Sequence, residues 1–180
     1  MKKEIFQQIE IPEEVEAEIA GAVLKVKGPE GELEREFNTG KLTFEKDRGK
    51  IIIGSEKATK VEKRMINTIA AHINNMIQGV QKKFEYKLKV CSSHFPMSVE
   101  VKGNEVIVKN FLGEKIPRKA KIPEGAEVKV DRDIITITSI NKEIAGQAAA
   151  NFERATKISA RDRRIFQDGI FIINKAGKEI

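Results

Sequence analysis

The stretch that decides the fold runs over residues 142–175, KEIAGQAAANFERATKISARDRRIFQDGIFIINK. From Lys142 to about Ala155 its apolar residues share one face, which predicts a helix capped by Asn141. Ile170–Ile173 is a short apolar run, typical of a buried strand. A loop rich in cations joins the two and ends in a turn at Gln167-Asp168-Gly169. The stretch therefore predicts a helix and a strand anchored on one core, with a basic loop between them.

The rest of the chain predicts two copies of one α+β plan. A helical pattern from near Ser55 to about Gln78 closes the first copy, and the helix from Lys142 closes the second. The triplet Val26-Lys27-Gly28 recurs later in the chain as Val101-Lys102-Gly103. Strand-like runs precede each helix: Val15–Ile19, Ala22–Lys27, Glu32–Phe37, Leu42–Glu45 and Ile51–Ile53, then Lys83–Cys91, Ser98–Lys102, Val106–Lys109, Ile116–Ile122, Ala126–Val130 and Ile134–Thr138. We expect an α+β protein of two tandem duplicated domains, residues 1–82 and 83–180, each a small, mostly antiparallel β-sheet packed with one main α-helix.

The charge is positive and unevenly distributed. The chain has 180 residues, with 33 Lys and Arg against 27 Asp and Glu, for a net charge of +6. Residues 1–36 carry five cations and ten Glu, so the remaining residues carry +11. A field of that sign attracts phosphate backbones or anionic membranes. Heat adaptation also enriches Lys and Glu, but it does not explain why the cations cluster.

The cysteine content and the apolar runs bear on the cellular compartment. The single Cys91 cannot form a disulfide within the chain, so nothing indicates an oxidising compartment. The first residues lack an apolar core of signal-peptide length, and no run approaches the roughly 18 apolar residues of a membrane span. We expect a soluble intracellular protein with no membrane partner.

Motifs for catalysis or cofactor binding are weak throughout. Gly28-Pro29-Glu30-Gly31 matches the GXXG loop of KH domains, but it joins two alternating strands and predicts a hairpin turn instead. His72 has no HxxxH or HExxH partner, and no phosphate-cradling or dinucleotide loop is present. An RNA-processing enzyme remains one hypothesis. It would work through Cys91 and His94, or through Asp162 and Asp168. We expect no catalytic residue, metal, cofactor or small-molecule substrate.

Two clusters of cations form the candidate binding site. The first is Lys109, Lys115, Arg118, Lys119 and Lys121, and the second is Arg154, Lys157, Arg161, Arg163 and Arg164. Both fall in the second copy, and on one face they would make a patch able to neutralise several phosphates. Phe166 and Phe171, which flank the turn before the last strand, are expected in the core. These clusters predict an RNA-binding edge, and the scarcity of aromatic residues argues against a track for stacking single strands.

The same region resembles a known family. Ser139–Gln147, Ala148–Ala150 and Arg164–Ile172 with Lys175 are similar to the C-terminal signature of the large ribosomal subunit protein six family, in its archaeal and eukaryotic branch. Asn110–Lys115 and Asn74–Val80 also resemble that family, and the resemblance spans Ile9 to Lys175. Asn141 stands where many members have Asp, and either residue can cap a helix.

The resemblance implies a ligand and a role. It implies two tandem α+β domains that bind large-subunit ribosomal RNA beneath the translation-factor site, near the sarcin–ricin loop, mostly through the second domain. It also adds Lys175 to the candidate RNA-binding residues. We expect a non-enzymatic constituent of the large subunit in the cytoplasmic ribosome, with rRNA and other large-subunit proteins as partners. The alternative is a free-standing RNA-binding regulator built from the same modules.

Overall fold

The computed structural model describes residues 3–47 and 49–180, and the chain divides into two compact units, Met1–Lys83 and Phe84–Ile180. The first unit contains two three-stranded antiparallel sheets and one long helix. Its elements are β1 (Lys3–Glu10), β2 (Glu16–Ala20), β3 (Val23–Gly28), β4 (Gly31–Glu36), β5 (Thr43–Asp47), β6 (Lys50–Ala58) and α1 (Lys60–Gln81). The sheet orders are β1-β6-β5 and β2-β3-β4. Alternating residues of β3 and β6, such as Leu24 and Ile53, are fully buried with Ile66 and Ile73 of α1.

The second unit repeats this plan and extends it. Its elements are β7 (Phe84–Cys91), β8 (Ser98–Lys102), β9 (Glu105–Lys109), a 3-10 turn (Phe111–Gly113), β10 (Arg118–Lys121), β11 (Glu127–Asp131), β12 (Ile134–Ser139), α2 (Lys142–Ala155), β13 (Gly169–Lys175) and β14 (Lys178–Glu179). The sheet orders are β10-β9-β8 and β11-β12-β7-β13-β14. Phe152 and Ala148 of α2 are buried with Leu88, Ile135 and Ile170 in one core. The fold class predicted from the sequence matches this architecture.

The number of residues that separates matching elements of the two copies is larger than the number that separates the matching Val-Lys-Gly triplets. The step from Glu16 to Ser98, where β2 and β8 begin, equals the step from Lys60 to Lys142, where α1 and α2 begin. The Val-Lys-Gly triplets lie at the ends of β3 and β8, which occupy different places in the repeated plan. The evidence for the duplication is therefore the order of the elements, and not the three matching residues. In the second unit, β13 pairs with β7, and β14 pairs with β13. In the first unit, β1 is the counterpart of β7 and lies at the edge of its sheet.

In the first unit, one strand was not predicted, and both ends of the helix differ from the prediction. β1 has no predicted counterpart, because the polar pair Gln7-Gln8 interrupts the apolar pattern and an edge strand does not need a fully apolar face. β6 continues through Ser55 to Ala58, so α1 begins at Lys60 and not near Ser55. Thr59 is the N-cap, and its side chain forms a capping box with Glu62. The helix also runs past Gly79 to Gln81.

Gly28 and Gly31 form the hairpin between β3 and β4, as expected from the turn signal. The hairpin also contacts the end of α1, since Glu30 N donates to Val80 O at 2.9 Å. A Cβ atom on Gly28 would lie 2.8 Å from Val80 O and 2.9 Å from Val80 Cγ2. Gly28 is therefore needed for the close approach of strand and helix, in addition to the turn.

No helix among the described residues 3–47 and 49–180 is long and apolar enough to cross a membrane.

Candidate nucleic-acid interface

The candidate cations lie on three parts of the second unit. Arg154 is in the last turn of α2, and the segment from Thr156 to Asp168, here called the basic loop, leads from there to β13. Four cations lie in the basic loop: Lys157, Arg161, Arg163 and Arg164. The first predicted cluster lies at the end of β9 and on or before β10, and Lys175 ends β13. Chain topology thus brings the basic loop to the C-terminal end of α2.

A groove with a volume of about 900 Å³ opens between the end of α2, the basic loop and the end of β7. Arg154, Lys157 and Arg163 line it, and all three are exposed. Its apolar lining includes Ile158 and Ile170. We call it the cationic groove, and it has the size of a site for a small ligand or a protruding part of a larger one.

The predicted cations divide by whether an acid already neutralises them. Lys109 pairs with Glu100 at 2.6 Å, Lys119 with Glu105 at 3.6 Å, and Arg164 with Asp162 at 2.8 Å. Arg118 pairs with Glu114. Within residues 3–47 and 49–180, no ion pair involves the other seven predicted cations: Lys115, Lys121, Arg154, Lys157, Arg161, Arg163 and Lys175. The three cations of the cationic groove therefore have charge available for an external anion.

Arg118 acts inside the protein. Its Nε and Nη2 donate to the carboxylate of Glu114 at 2.8 and 2.6 Å, and its Nη1 donates to Ala155 O and Lys157 O at 3.1 and 3.0 Å. Its guanidinium also lies 4.2 Å from the centre of the buried Phe111 ring. Four of its five N–H donors are used, so Arg118 anchors the start of the basic loop and holds little capacity for phosphate.

We expect Arg118→Lys to lower stability. An ammonium cannot reproduce the fork to Glu114 and the bonds to two carbonyls, so at least two charge-assisted hydrogen bonds are lost. The expected cost is about 2 kcal/mol, measured by urea unfolding of the full chain. The matched control is Arg132→Lys at the exposed β11–β12 turn, where a change below about 0.5 kcal/mol is expected. Equal unfolding midpoints for the two variants would contradict the anchoring role.

Asp168 is a buried anchor and not only a turn residue. Its carboxylate accepts hydrogen bonds from Ser93 N at 2.6 Å, His94 N at 3.0 Å and His94 Nδ1 at 2.6 Å. A carboxylate acceptor requires Nδ1 of His94 to carry its proton. Burial raises the pKa of Asp168, but the hydrogen bonds from His94 and Ser93 outweigh it and leave the pKa below its usual value. The end of the basic loop is thereby tied to the segment after β7.

The ends of α2 and β13 are joined by a second buried polar contact. Thr156 caps α2, and its Oγ1 accepts a hydrogen bond from Ile170 N at 2.9 Å. Gly169 lies between these anchors at a φ of 155°, and a Cβ there would lie 3.4 Å from Thr156 Oγ1 and 3.2 Å from Phe171 Cζ. The basic loop is thus fixed at both ends, as expected from its position between a helix and a strand anchored in one core.

The two phenylalanines near the turn were expected in the core, and that expectation is wrong. Phe171 is 39% exposed, because alternate residues of β13 face opposite sides and Ile170 takes the buried side. Phe166 is half-buried and stacks on the ring of His94, with ring centres 4.9 Å apart. Both rings line the cationic groove.

The contact between His94 and Asp168 is a histidine–carboxylate hydrogen bond of the kind that also occurs in catalytic sites. Their bond ties the basic loop to the segment after β7, and Phe166 covers one face of the imidazole. No group of three or more His, Cys, Asp and Glu side chains in residues 3–47 and 49–180 could hold a metal ion. The hydrogen bond between His94 and Asp168 therefore has a structural role, because it holds the end of the basic loop in place.

The two α+β units define the class as a two-repeat α+β protein, and the second unit carries the basic loop and the cationic groove. The family model for ribosomal protein L6 matches residues 11–83 and again residues 95–169. The chain is 47% identical over 174 residues to the large ribosomal subunit protein uL6 of Methanococcus vannielii. The aligned residues cover 97% of this chain and 96% of that protein. The chain therefore belongs to the ribosomal protein L6 family.

Family membership confirms three expectations. The two matched segments confirm the internal duplication, and the archaeal relative fits the branch that the sequence resembles. The family is structural and not enzymatic, so the RNA-processing enzyme is set aside. The roles of Arg118 and Asp168 are what the sequence analysis missed. The acid Glu114, four residues before Arg118, was the one available signal, and the partner of Asp168 lies far away in the sequence.

Proposed function

We propose that this protein is a structural constituent of the large ribosomal subunit and binds large-subunit rRNA through its second unit. The observation that carries the proposal is the cationic groove, where Arg154, Lys157 and Arg163 have no ion pair within the described residues. Family membership supplies the ribosomal setting. We also propose that the contact lies near the sarcin–ricin loop, beneath the translation-factor site of the cytoplasmic ribosome, as the family resemblance implies.

The mechanism is architectural. RNA helices repel one another through their phosphates, and fixed cations relieve that repulsion and release counterions. Loop ends held by Arg118, Thr156 and Asp168 leave few conformations to be lost on binding. Contacts of this kind position folded RNA by shape and phosphate, without reading base edges in a helix. Lys115, Lys121 and Lys175 extend the proposed contact beyond the groove, and other large-subunit proteins are its expected neighbours.

Sedimentation at high salt tests the ribosomal role. A constituent held within a folded RNA assembly is expected to remain with the large subunit through a sucrose gradient at about 0.5 M salt. A free-standing regulator bound mainly through phosphates loses affinity steeply over that range and is expected at the top of the gradient. Quantification of the chain in each fraction distinguishes the two, and recovery only at the top would overturn the structural role.

We also propose that residues 83–180 form an autonomous RNA-binding domain and residues 1–82 a separately folding one. Each compact unit has its own buried core and one helix packed on sheets, which supports independent folding. Expressed alone, both halves are expected to unfold cooperatively, and residues 83–180 to retain most of the affinity for a large-subunit rRNA transcript. Equal affinity of the two folded halves would contradict this placement of the site.

A further inference from the structure

Three side chains of the second unit are stacked beside the cationic groove. The Phe166 ring is stacked on His94 at 4.9 Å, with an angle of 25° between the planes. The guanidinium carbon of Arg161 lies 4.8 Å from the centre of the same Phe166 ring. Arg161 is exposed, and no carboxylate of the described residues lies within ion-pair distance of it. An exposed planar cation thus lies over an aromatic ring.

This stack is rigid at its inner end. His94 is fixed by the buried carboxylate of Asp168, and Phe166 N donates to Asp162 O at 2.9 Å. Asp162 also accepts a hydrogen bond from Arg164 N at 3.0 Å, which holds the turn that carries the ring. Arg118, which hydrogen-bonds the carboxylate of Glu114, and to a smaller extent Arg161 lower the pKa of Glu114, but Arg161 forms no ion pair with it. The orientation of Arg161 is therefore set by stacking more than by ion pairing.

We propose that Arg161 is a stacking platform for one unpaired RNA base, whose flanking phosphates lie against the cationic groove. The inference rests on the proposed function and specifies how part of that site recognises its ligand. The Arg161 guanidinium lies over the Phe166 ring and can offer its other face to a second planar group. Nucleotide bases stack on arginine planes as they do on aromatic rings. Phe166 and Arg163 line the groove, so base and phosphate sites adjoin.

The geometry favours a base over a phosphate as the partner of Arg161. A phosphate would be bound in the guanidinium plane through its N–H groups and would gain nothing from an aromatic ring beneath it. Under the proposed function, the groove cations supply the phosphate contacts. The scarcity of aromatic residues, which argues against a long track for single strands, is compatible with one platform. We therefore expect a single bulged or looped nucleotide and not an extended strand.

Binding of a large-subunit rRNA transcript by the full chain tests the inference. Arg161→Lys keeps the charge but removes the plane, so affinity is expected to fall about tenfold, the value of one lost base stack. The slope of log K against log salt is expected to be unchanged, because no phosphate contact is lost. Arg132→Lys makes the same substitution at an exposed turn outside the site and is expected to bind like the unmodified chain.

Two results would count against the platform. Affinity of Arg161→Lys within twofold of the unmodified chain overturns this inference alone, and so does an affinity loss accompanied by a flatter salt slope. Failure of the unmodified chain to bind the transcript counts instead against the proposed function and removes the basis of the inference with it.

A second readout follows the base directly. In NMR titrations of the full chain, AMP is expected to shift the Arg161 Nε–H and Phe166 ring signals, whereas ribose 5-phosphate has the same phosphate but no base. Ribose 5-phosphate is expected to shift groove residues such as Arg163 while leaving the Arg161 and Phe166 signals in place. Equal shifts of Arg161 by the two compounds would identify an anion site and overturn the platform.

Discussion

Replacing Arg154, Lys157 and Arg163 together with Gln is expected to weaken rRNA binding on the order of a hundredfold at 0.1 M salt. The three side chains line one groove and have no ion pair within the described residues, so each can neutralise a phosphate. The slope of log K against log salt should fall by roughly 2 to 3, since each phosphate contact contributes about 0.7 to 0.9. Titrations of a large-subunit rRNA transcript at several salt concentrations measure both quantities.

The matched control removes the same charge elsewhere. Lys25, Lys27 and Lys50 lie in the first unit, and Lys25 and Lys50 are already paired with Glu32 and Glu10. Their triple replacement by Gln changes the net charge equally and is expected to leave most of the salt slope intact. Similar slopes for the two triple variants would show that overall charge governs binding, and would contradict a localised site.

Asp168→Ala is expected to destabilise the second unit by roughly 3 kcal/mol and to weaken rRNA binding as well. The change leaves two backbone amides and the His94 ring without their acceptor, and it frees one end of the basic loop. Asp168→Asn is the matched control, because its carbonyl oxygen can keep both amide bonds. Its expected cost is about 1 kcal/mol, and urea unfolding of the three chains measures the order. A smaller cost for Ala than for Asn would contradict the anchor.

The contribution of Asp168 depends on pH in a direction fixed by its pKa. The folded pKa lies below the unfolded value of about 3.9, so the folded state favours the ionised carboxylate. The stability gained is complete above the unfolded pKa and is lost as the pH falls through the folded pKa. The difference in unfolding free energy between the unmodified chain and Asp168→Ala should therefore shrink as the pH falls below about 4.

Periodicity was sufficient to predict most of the architecture. The apolar spacing of Ile66, Ile69 and Ile73 predicts the buried face of α1, and all three are buried. Local turn signals such as Gly28 and Gly31 predict hairpins, because their geometry depends on adjacent residues. The order of strands and one helix, seen twice, was enough for the duplication even though the triplet used to align the copies was misleading.

The details of the site depend on contacts between distant residues. Arg118 and Lys119 are adjacent cations of one strand, yet Arg118 bonds to the carbonyl of Lys157 and Lys119 is exposed. Asp168 looks like turn chemistry locally and becomes a buried anchor only when β13 lies beside β7. Charge clustering could therefore predict a candidate binding region, but not which of its cations bond within the protein and which have no ion pair in the described residues.

The pairing of β13 with β7 also sets an order of events in the life of the molecule. Gly169 pairs with Cys91, which is synthesised much earlier, because a growing chain emerges from its N-terminus. The first unit and α2 are synthesised before β13, which supplies Ile170 and Phe171 to the lining of the cationic groove. A nascent or prematurely terminated chain that lacks β13 therefore lacks one wall of the cationic groove. Under the proposed function, only chains translated through β13 would present the complete RNA surface.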